Sequence, residues 1–298
     1  MLIKRTDLAL EARELWQESA EKTTKLPGVK AVKYRKEGYP VTRVEVLDKQ
    51  GEQELGKPVG TYLTLDLSSY WQRRSDFFER AVRLIGSELK ELMPAEGAAL
   101  VIGLGNDAMT PDAVGPLTMR SILITRHLRS AMPKQFAGFR DVSVFRTGVL
   151  GTTGIESAEA VQGLIAQTKP AVVIAVDALA ARRLNRVCAT VQLSDTGIIP
   201  GSGVGNHRLA LNRETLGLPV LAVGVPTVVD GATLAADLLE ESGITEFDEK
   251  KLRGRNTGLF VTPRDIDAQV RDLSKAVGYG INWALQDLEI GEINALLS

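Results

Sequence analysis

Three short, almost continuous apolar runs in the middle of the chain constrain its fold more than any other feature. They span residues 98–104, 171–177 and 219–225, and stretches with helical spacing separate them. Apolar runs of this length are typical of parallel strands that are buried on both faces of a sheet. Because strands and helices alternate, the sequence predicts an α/β fold, doubly wound, with a mainly parallel central sheet flanked by helices.

The segments around these runs predict further elements. Residues 41–47 alternate between polar and apolar side chains, and residues 60–66 form a second strand pattern. We therefore expect a small N-terminal β-hairpin element at about residues 30–70. Helical spacing covers residues 8–21, 75–93, 111–128, 155–167, 229–239 and 263–288.

These elements fit one α/β domain over residues 8–298, with a core sheet at about 97–230 and a C-terminal helix at about 263–289. Residues 240–256 are charged and weakly patterned, which indicates an exposed loop. No apolar run reaches the roughly 18 residues of a membrane-spanning helix, and the first residues turn polar too early for a secretory signal. We expect a cytoplasmic protein.

Charge and cysteine content exclude several classes of protein. The formal net charge is -1, which argues against nucleic-acid binding by bulk electrostatics. It also provides no excess of basic residues that would bind an anionic membrane. The one cysteine, Cys188, lies in an apolar strand pattern, so we expect a core thiol. A lone cysteine excludes an internal disulfide and suits a reducing compartment.

A glycine-rich segment, residues 103–115, follows the first apolar run and contains Gly103, Gly105, Asn106 and Asp112. Ligands of doubly wound sheets bind beyond the carboxyl ends of the strands, where glycines let the backbone approach closely. The alternative is a tight turn in which Asp112 is an acid of an early helical turn, favoured by the helix dipole. A dinucleotide-binding fingerprint is disfavoured because a Thr-Pro pair delays the helix.

Asp177 follows the second apolar run directly, and we expect it to end the strand and face the crevice. The alternative is that its side chain caps a following helix. If Asp177 and Asp112 lie a few ångströms apart, one of them keeps a proton. Such a pair provides a general base for water and a general acid for the leaving amine of a peptide.

Two further glycine-rich segments, residues 145–156 and 200–207, are expected to line the same crevice. The candidate substrate-binding residues in them are Gly148, Gly201, Ser202 and Gly203. Ser202 does not fit the G-x-S-x-G nucleophile elbow, since Pro200 occupies the first glycine position. The two segments could instead be ordinary turns.

Metal-binding patterns are missing from the sequence. It has two histidines, His127 and His207, and no H-E-x-x-H or C-x-x-C pair. We therefore expect catalysis without a metal or other cofactor. The alternative is a metal-dependent peptidase in which His207 joins the two aspartates as a third ligand.

From Arg5 to about Ala284 the chain resembles the germination proteases of spore-forming bacteria. The segments that carry the resemblance are residues 103–106 with 110–113, 123–128, 176–182, 200–206 and 224–230. This family of atypical aspartic endopeptidases is related in fold to hydrogenase-maturation peptidases. The resemblance implies that Asp112 and Asp177 are the catalytic residues.

The resemblance also implies a biological setting. Family members degrade small acid-soluble spore proteins in the spore core, are made as zymogens that trim their own N-terminus, and are usually homotetramers. No nucleic acid or membrane is expected as a direct partner. A catalytically inactive homologue that only binds such spore proteins is a further alternative.

The N-terminus contains a candidate for self-cleavage. Residues 6–11 have the order hydroxyl, acid, large apolar, Ala, variable, acid, as in the family's target sites. The resemblance therefore implies a cut between Asp7 and Leu8, with residues 1–7 as a short propeptide. The alternative is a simple helix start with Thr6 as the N-cap.

Overall fold

The computed structural model describes residues 4–19, 26–72, 76–201, 208–244, 247, 252, 254 and 258–297. Its strands form one sheet in the order β1-β2-β3-β7-β8-β6-β4-β5, with β9 paired to β8. The strands are β1 Val29–Lys36, β2 Tyr39–Val46, β3 Gly60–Asp66, β4 Ala99–Leu104, β5 Val142–Gly148, β6 Val172–Ala181, β7 Thr190–Ser194, β8 Val220–Asp230 and β9 Phe260–Val261.

Helices cover the sheet and connect its strands. The α-helices are α1 Ala9–Ser19, α2 Lys49–Leu55, α3 Phe77–Leu92, α4 Val114–Thr118, α5 Arg126–Ala131, α6 Leu150–Thr153, α7 Ser157–Thr168, α8 Arg213–Leu216, α9 Gly231–Glu241, α10 Ile266–Gln286 and α11 Ile290–Leu297. Short 3-10 turns lie at Ser68–Gln72, Thr110–Asp112, Met119–Ser121 and Leu184–Arg186. Within the described helices, none is both long and apolar enough to cross a membrane.

The expected α/β class, with a central sheet flanked by helices, is confirmed. Strands β5, β4, β6 and β8 pair in parallel and form the doubly wound half of the sheet. Strands β1, β2, β3 and β7 are antiparallel and extend the same sheet through the β7–β8 pair. The expected pairing of β2 with β3 is present, and β1 adds a strand that the sequence pattern did not indicate.

Side chains of the buried strands point alternately to the two faces of the sheet, so a separate hydrophobic core forms on each face. Val101 and Ile174 pack into the cluster that includes α3 and α10. Their neighbours Ile102 and Val173 pack on the opposite face, in the cluster that includes α7 and α8. Full burial on both faces explains why these strands appear in the sequence as unbroken apolar runs.

The prediction of one helix over residues 111–128 is wrong. Helix α4 ends at Thr118, and the chain becomes extended at Ile122 before α5 begins. Asn282 of α10 explains the break, because its side chain accepts the Leu123 N–H at 2.9 Å and donates to the Ser121 carbonyl at 2.8 Å. This side-chain amide satisfies backbone groups that a continuous helix would have used. Most of the expected loop at 240–256 lies outside the described residues.

Candidate active site

Asp177 lies in β6 at the point where this strand loses its neighbour β4. The prediction that it ends its strand is wrong, because β6 continues to Ala181 in pairing with β8. However, the pairing of β6 with β4 stops at Val176, so Asp177 is the first residue of β6 beyond its neighbour. The buried Asp177 carboxylate therefore lies at the crevice and accepts the Ala178 N–H at 2.9 Å.

Asp112 reaches the same crevice from the loop after β4. It ends the 3-10 turn Thr110–Asp112, and its Oδ2 accepts the Asn106 N–H at 2.8 Å. Gly105 makes this fold-back possible: its φ is 105°, and a Cβ there would lie 2.1 Å from the Asp112 carbonyl oxygen. Only glycine combines this backbone conformation with such a close approach.

The two carboxyl groups interact electrostatically. Burial, and then the negative charge of Asp112, raise the pKa of Asp177 well above its ordinary value. Burial also raises the pKa of Asp112, although the Asn106 N–H and the Arg208 charge oppose that rise. Because burial and the charge of Asp112 both disfavour an ionised Asp177, these effects favour a proton held on Asp177.

A cavity of about 420 Å³ contains both carboxylates. Asp7 from the N-terminal segment lines the same cavity, together with hydrophobic groups from Met109, Ile199 and Phe260. A second cavity of about 300 Å³ adjoins it on the other side of Asp7 and is lined by Lys57, Tyr62 and Gln192 among others. The N-terminal segment thus lies in a cleft between the two cavities.

Hydrogen bonds fix this segment to the free edge of β6. The Asp7 N–H donates to the Ala180 carbonyl at 2.9 Å, and the Ala180 N–H donates to Asp7 Oδ2 at 2.8 Å. On one side of Asp7, the Lys4 ammonium contacts Asp237 and Glu240 at 2.7 Å each. On the other side, Leu8 is fully buried in the main core.

The alternative role for Thr6, as the N-cap of a helix, is not what the structure shows. Helix α1 begins at Ala9, and Thr6 Oγ1 accepts the Leu8 N–H at 3.0 Å while donating to Glu11 at 2.5 Å. Thr6 therefore shapes the turn that leads into the helix. Glu11 is fully buried and also accepts the N–H groups of Arg182 and Arg183.

Three of the seven predicted loop residues line the crevice. Gly105, Gly148 and Gly201 line a small cavity of about 80 Å³ next to Asp112 and Asp177. Asn106 contributes its backbone N–H rather than its side chain to Asp112. Gly103 lies inside β4, where a Cβ would collide with Gly115 of α4. Ser202, Gly203 and His207 lie outside the described residues.

The crevice also contains polar residues that were not predicted, among them Arg208, Lys57 and Gln192. Arg208 lines the small cavity beside both aspartates, and Lys57 and Gln192 line the cavity on the far side of Asp7. Arg208 directly follows the glycine-rich segment at 200–207, so continuing that segment by one residue would have found it. Lys57 and Gln192 carry no comparable local signal.

The remaining candidates for chemistry lie elsewhere. Cys188 is buried just before β7, where burial raises the pKa of its thiol to about 12, as expected for an unreactive core residue. His127 belongs to α5 and lies in a separate open groove with Arg126 and Asp141. Among the residues that the structure describes, no group of three His, Cys, Asp or Glu side chains is arranged to hold a metal ion.

Fold and site together define an α/β protein with paired carboxyl groups in a cleft at the edge of its parallel strands. A sequence profile described as "Germination protease" matches residues 9–243. The chain belongs to the germination protease family and is a peptidase.

Curated relatives match along almost the whole chain. The germination protease of Caldanaerobacter subterraneus subsp. tengcongensis is 43% identical, with 98% of each chain covered. The Clostridium tetani germination protease is 40% identical over 99% of both chains, and that of Bacillus cereus strain AH187 is 36% identical over 94% of this chain and 93% of its own. A solved structure, the [NiFe] hydrogenase maturation protease HycI from Thermococcus kodakarensis KOD1, is 19% identical, covers 65% of this chain and 98% of its own, and superimposes with a TM-score of 0.36.

Proposed function

We propose that this chain is an endopeptidase that begins the degradation of small acid-soluble spore proteins at germination, with Asp112 and Asp177 as its acid–base pair. The observation that carries the proposal is the shared cavity of the two carboxyl groups, in which the buried Asp177 has a raised pKa. The relatives named germination protease support the spore setting. A cytoplasmic location in the spore core and a homotetramer belong to the same proposal.

The proposed chemistry uses one shared proton. The ionised Asp112 takes a proton from water as the water oxygen bonds to the peptide carbonyl carbon, and protonated Asp177 then gives its proton to the leaving nitrogen. After hydrolysis the pair again holds one proton, now on Asp112, and transfer of this proton to Asp177 restores the starting state. No metal or cofactor enters this scheme.

We also propose that the chain is a zymogen that removes its own residues 1–7 by cutting between Asp7 and Leu8, leaving the peptidase domain 8–298. The position of Asp7 supports this cut, because Asp7 lines the same cavity as Asp112 and Asp177. While the segment remains there, it blocks the cavity to other peptides. Acidic conditions should favour the cut, because protonation reduces repulsion among the clustered acids.

The test combines two cleavage assays. Wild type, incubated alone, should lose seven residues by N-terminal mass analysis, and incubated with a small acid-soluble spore protein it should cut that protein. Asp177→Asn should do neither. Binding of the spore protein without cleavage by wild type would instead identify an inactive homologue, and equal trimming of wild type and Asp177→Asn would show that the cut is made by another protease.

A further inference from the structure

The carbonyl oxygen of Asp7 accepts two side-chain hydrogen bonds from the wall of the cleft that faces away from the parallel strands. Lys57 Nζ lies 3.0 Å from this oxygen, and Gln192 Nε2 lies 3.2 Å from it. The oxygen belongs to the Asp7–Leu8 peptide bond, whose residue Asp7 also lines the cavity of Asp112 and Asp177. Asp7 therefore borders the cavity of the two acids, and its carbonyl oxygen accepts both donors.

Lys57 is held in place by the turn between α2 and β3. Gly56 ends α2 in the left-handed conformation with φ 67°, and the Tyr62 hydroxyl donates to the Pro58 carbonyl at 2.9 Å. The ammonium group also lies 3.4 Å from the Thr6 carbonyl. The charges that face it are those of Asp7 and Glu11, whose attraction opposes the lowering of the lysine pKa by burial.

Gln192 is fixed by the sheet. It lies in β7 between β3 and β8, where it is buried. Its Oε1 accepts the Ala9 N–H at 2.8 Å, so its Nε2 is the group that points to the Asp7 carbonyl. Both ends of the amide thus contact backbone groups that flank the Asp7–Leu8 bond.

Extending the function proposed above, we propose that Lys57 and Gln192 bind the carbonyl oxygen of the peptide bond that is cut and stabilise the negative charge that this oxygen acquires. Water adds to the Asp7 carbonyl carbon, a water proton passes to Asp112, and the carbonyl π-electrons move to the oxygen. The resulting oxyanion is held by the lysine ammonium and the glutamine N–H. When the C=O bond re-forms, the C–N bond breaks and the Leu8 nitrogen takes the proton of Asp177.

The donors suit this role because they are in place before charge develops. Fixed donors about 3 Å from a developing oxyanion stabilise the transition state more than the neutral carbonyl, and the ammonium contributes a full positive charge. A different role is also compatible with these contacts: the two side chains would only anchor the N-terminal segment. The experiment must therefore measure docking of the segment and cleavage of the bond separately.

The experiment uses freshly purified, uncut full-length chain in single-turnover self-cleavage, followed by mass analysis. We expect Lys57→Met to slow the loss of residues 1–7 about 100-fold, within the range found for removal of one oxyanion donor. Gln192→Met should slow it less, about 10-fold, because its amide N–H is a neutral donor. Lys57→Arg should recover part of the rate. Hydrogen exchange of the Asp7 amide, which donates to Ala180, reports whether the segment stays docked.

Lys4→Met is the matched control. Lys4 anchors the same segment through its ion pairs with Asp237 and Glu240, whereas Lys57 and Gln192 donate to the Asp7 carbonyl. This variant should raise exchange at the Asp7 amide and lower cleavage only in proportion to the lost docking. Lys57→Met should instead keep the amide protected while cleavage falls.

The pH profile gives a third readout. Cleavage by every variant should fall with rising pH as Asp177 loses its proton. Since burial lowers the pKa of Lys57, wild type should show a second loss as this lysine loses its proton, and Lys57→Arg should lack that second loss. Unchanged cleavage in Lys57→Met, or cleavage that falls only as far as docking falls, would overturn the inference and leave the peptidase assignment intact. Equal behaviour of wild type and Asp177→Asn would overturn both.

Discussion

The two walls of the cleft are built by different halves of the sheet. Asp112 follows the parallel strand β4, and Asp177 lies within β6 at the first position beyond the end of its pairing with β4. Lys57 and Gln192 belong to the antiparallel half, one in the turn before β3 and the other within β7. The acid wall carries Asp112 and Asp177, the donor wall carries Lys57 and Gln192, and Asp7 lies between them.

The difference shows two ways in which a fold assembles a site. Carboxyl ends of parallel strands meet at one edge, so acids placed after such strands converge without a special arrangement of the rest of the chain. The donor wall depends on register, because Gln192 lies opposite Thr64 of β3 and Gly224 of β8. A shift of that register by one residue would turn the Gln192 side chain to the other face.

The acid wall should carry the larger share of catalysis. We expect Asp112→Asn and Asp177→Asn each to lower the self-cleavage rate about 10⁴-fold or more, as removing one member of a catalytic unit does. The corresponding loss for Lys57→Met should be about 100-fold. Circular dichroism and a thermal melt should show each variant folded. Activity within tenfold of wild type in either asparagine variant would contradict the acid–base pair.

A glycine-to-alanine substitution should reduce folding stability more in the acid wall than in the donor wall, because the backbone around the glycine of the acid wall is more crowded. Gly105→Ala in the acid wall places a Cβ 2.1 Å from the Asp112 carbonyl oxygen, and we expect it to lower the free energy of unfolding by about 3 kcal/mol. Gly56→Ala in the donor wall has the same left-handed requirement, with φ 67°, but no atom within 4 Å of the added carbon. It should cost about 1 kcal/mol, as the conformation alone requires.

Urea unfolding of both variants measures this difference. Equal losses of stability at Gly105 and Gly56 would mean that the loop carrying Asp112 is looser than its packing indicates. A Gly105→Ala variant that stays folded should also show weaker cleavage, because the backbone that positions the Asp112 carboxylate must move.

Because Asp177 is buried in the acid wall, the folded protein should become less stable as pH rises. The folded protein holds the Asp177 proton more tightly than the unfolded chain, in which the pKa is close to 3.8. Wild type therefore loses stability as pH rises from about 4 through the higher pKa of the folded state. Asp177→Asn lacks this effect, so it should be more stable than wild type at neutral pH and equal to it below pH of about 3. Denaturant titrations across that range would contradict the raised pKa if the variant were the less stable protein at neutral pH.

Chelation should have the smallest effect. Neither wall is expected to need a metal, so a strong chelator should leave self-cleavage and spore-protein cleavage unchanged. Dialysis against buffer alone is the control. Activity lost on chelation and restored by a divalent ion would support a metal bridging Asp112, Asp177 and His207.

The acid wall could be predicted from the sequence because the patterns that mark its residues are local. An apolar run followed by Asp177, and a glycine-rich segment ending near Asp112, suffice to place both carboxylates at the edge of the sheet. The error in the strand end arose because β6 keeps β8 as a partner after losing β4, which is decided by the lengths of other strands.

The donor wall could not be predicted from the sequence in this way. Lys57 lies in a Gly-Lys-Pro sequence that is typical of an exposed turn, and Gln192 is one polar residue in a short strand. Their contact with Asp7 joins positions 50 and 185 residues apart. The break in the helix predicted over residues 111–128 has a similar cause, since Asn282 is remote in sequence from the backbone it satisfies.

Lys4 has a consequence for what happens after a cut between Asp7 and Leu8. The excised heptapeptide would still be tethered by ion pairs of Lys4 with Asp237 and Glu240, and by the backbone bond of Asp7 to Ala180. Departure of this fragment, rather than hydrolysis, would then set the lag before the cleft accepts another chain. Both ion pairs are largely buried, and buried ion pairs are screened by salt much less than exposed ones, so the lag should persist at moderate ionic strength. The length of the delay before activation would thus be set by the chain itself rather than by the salt around it.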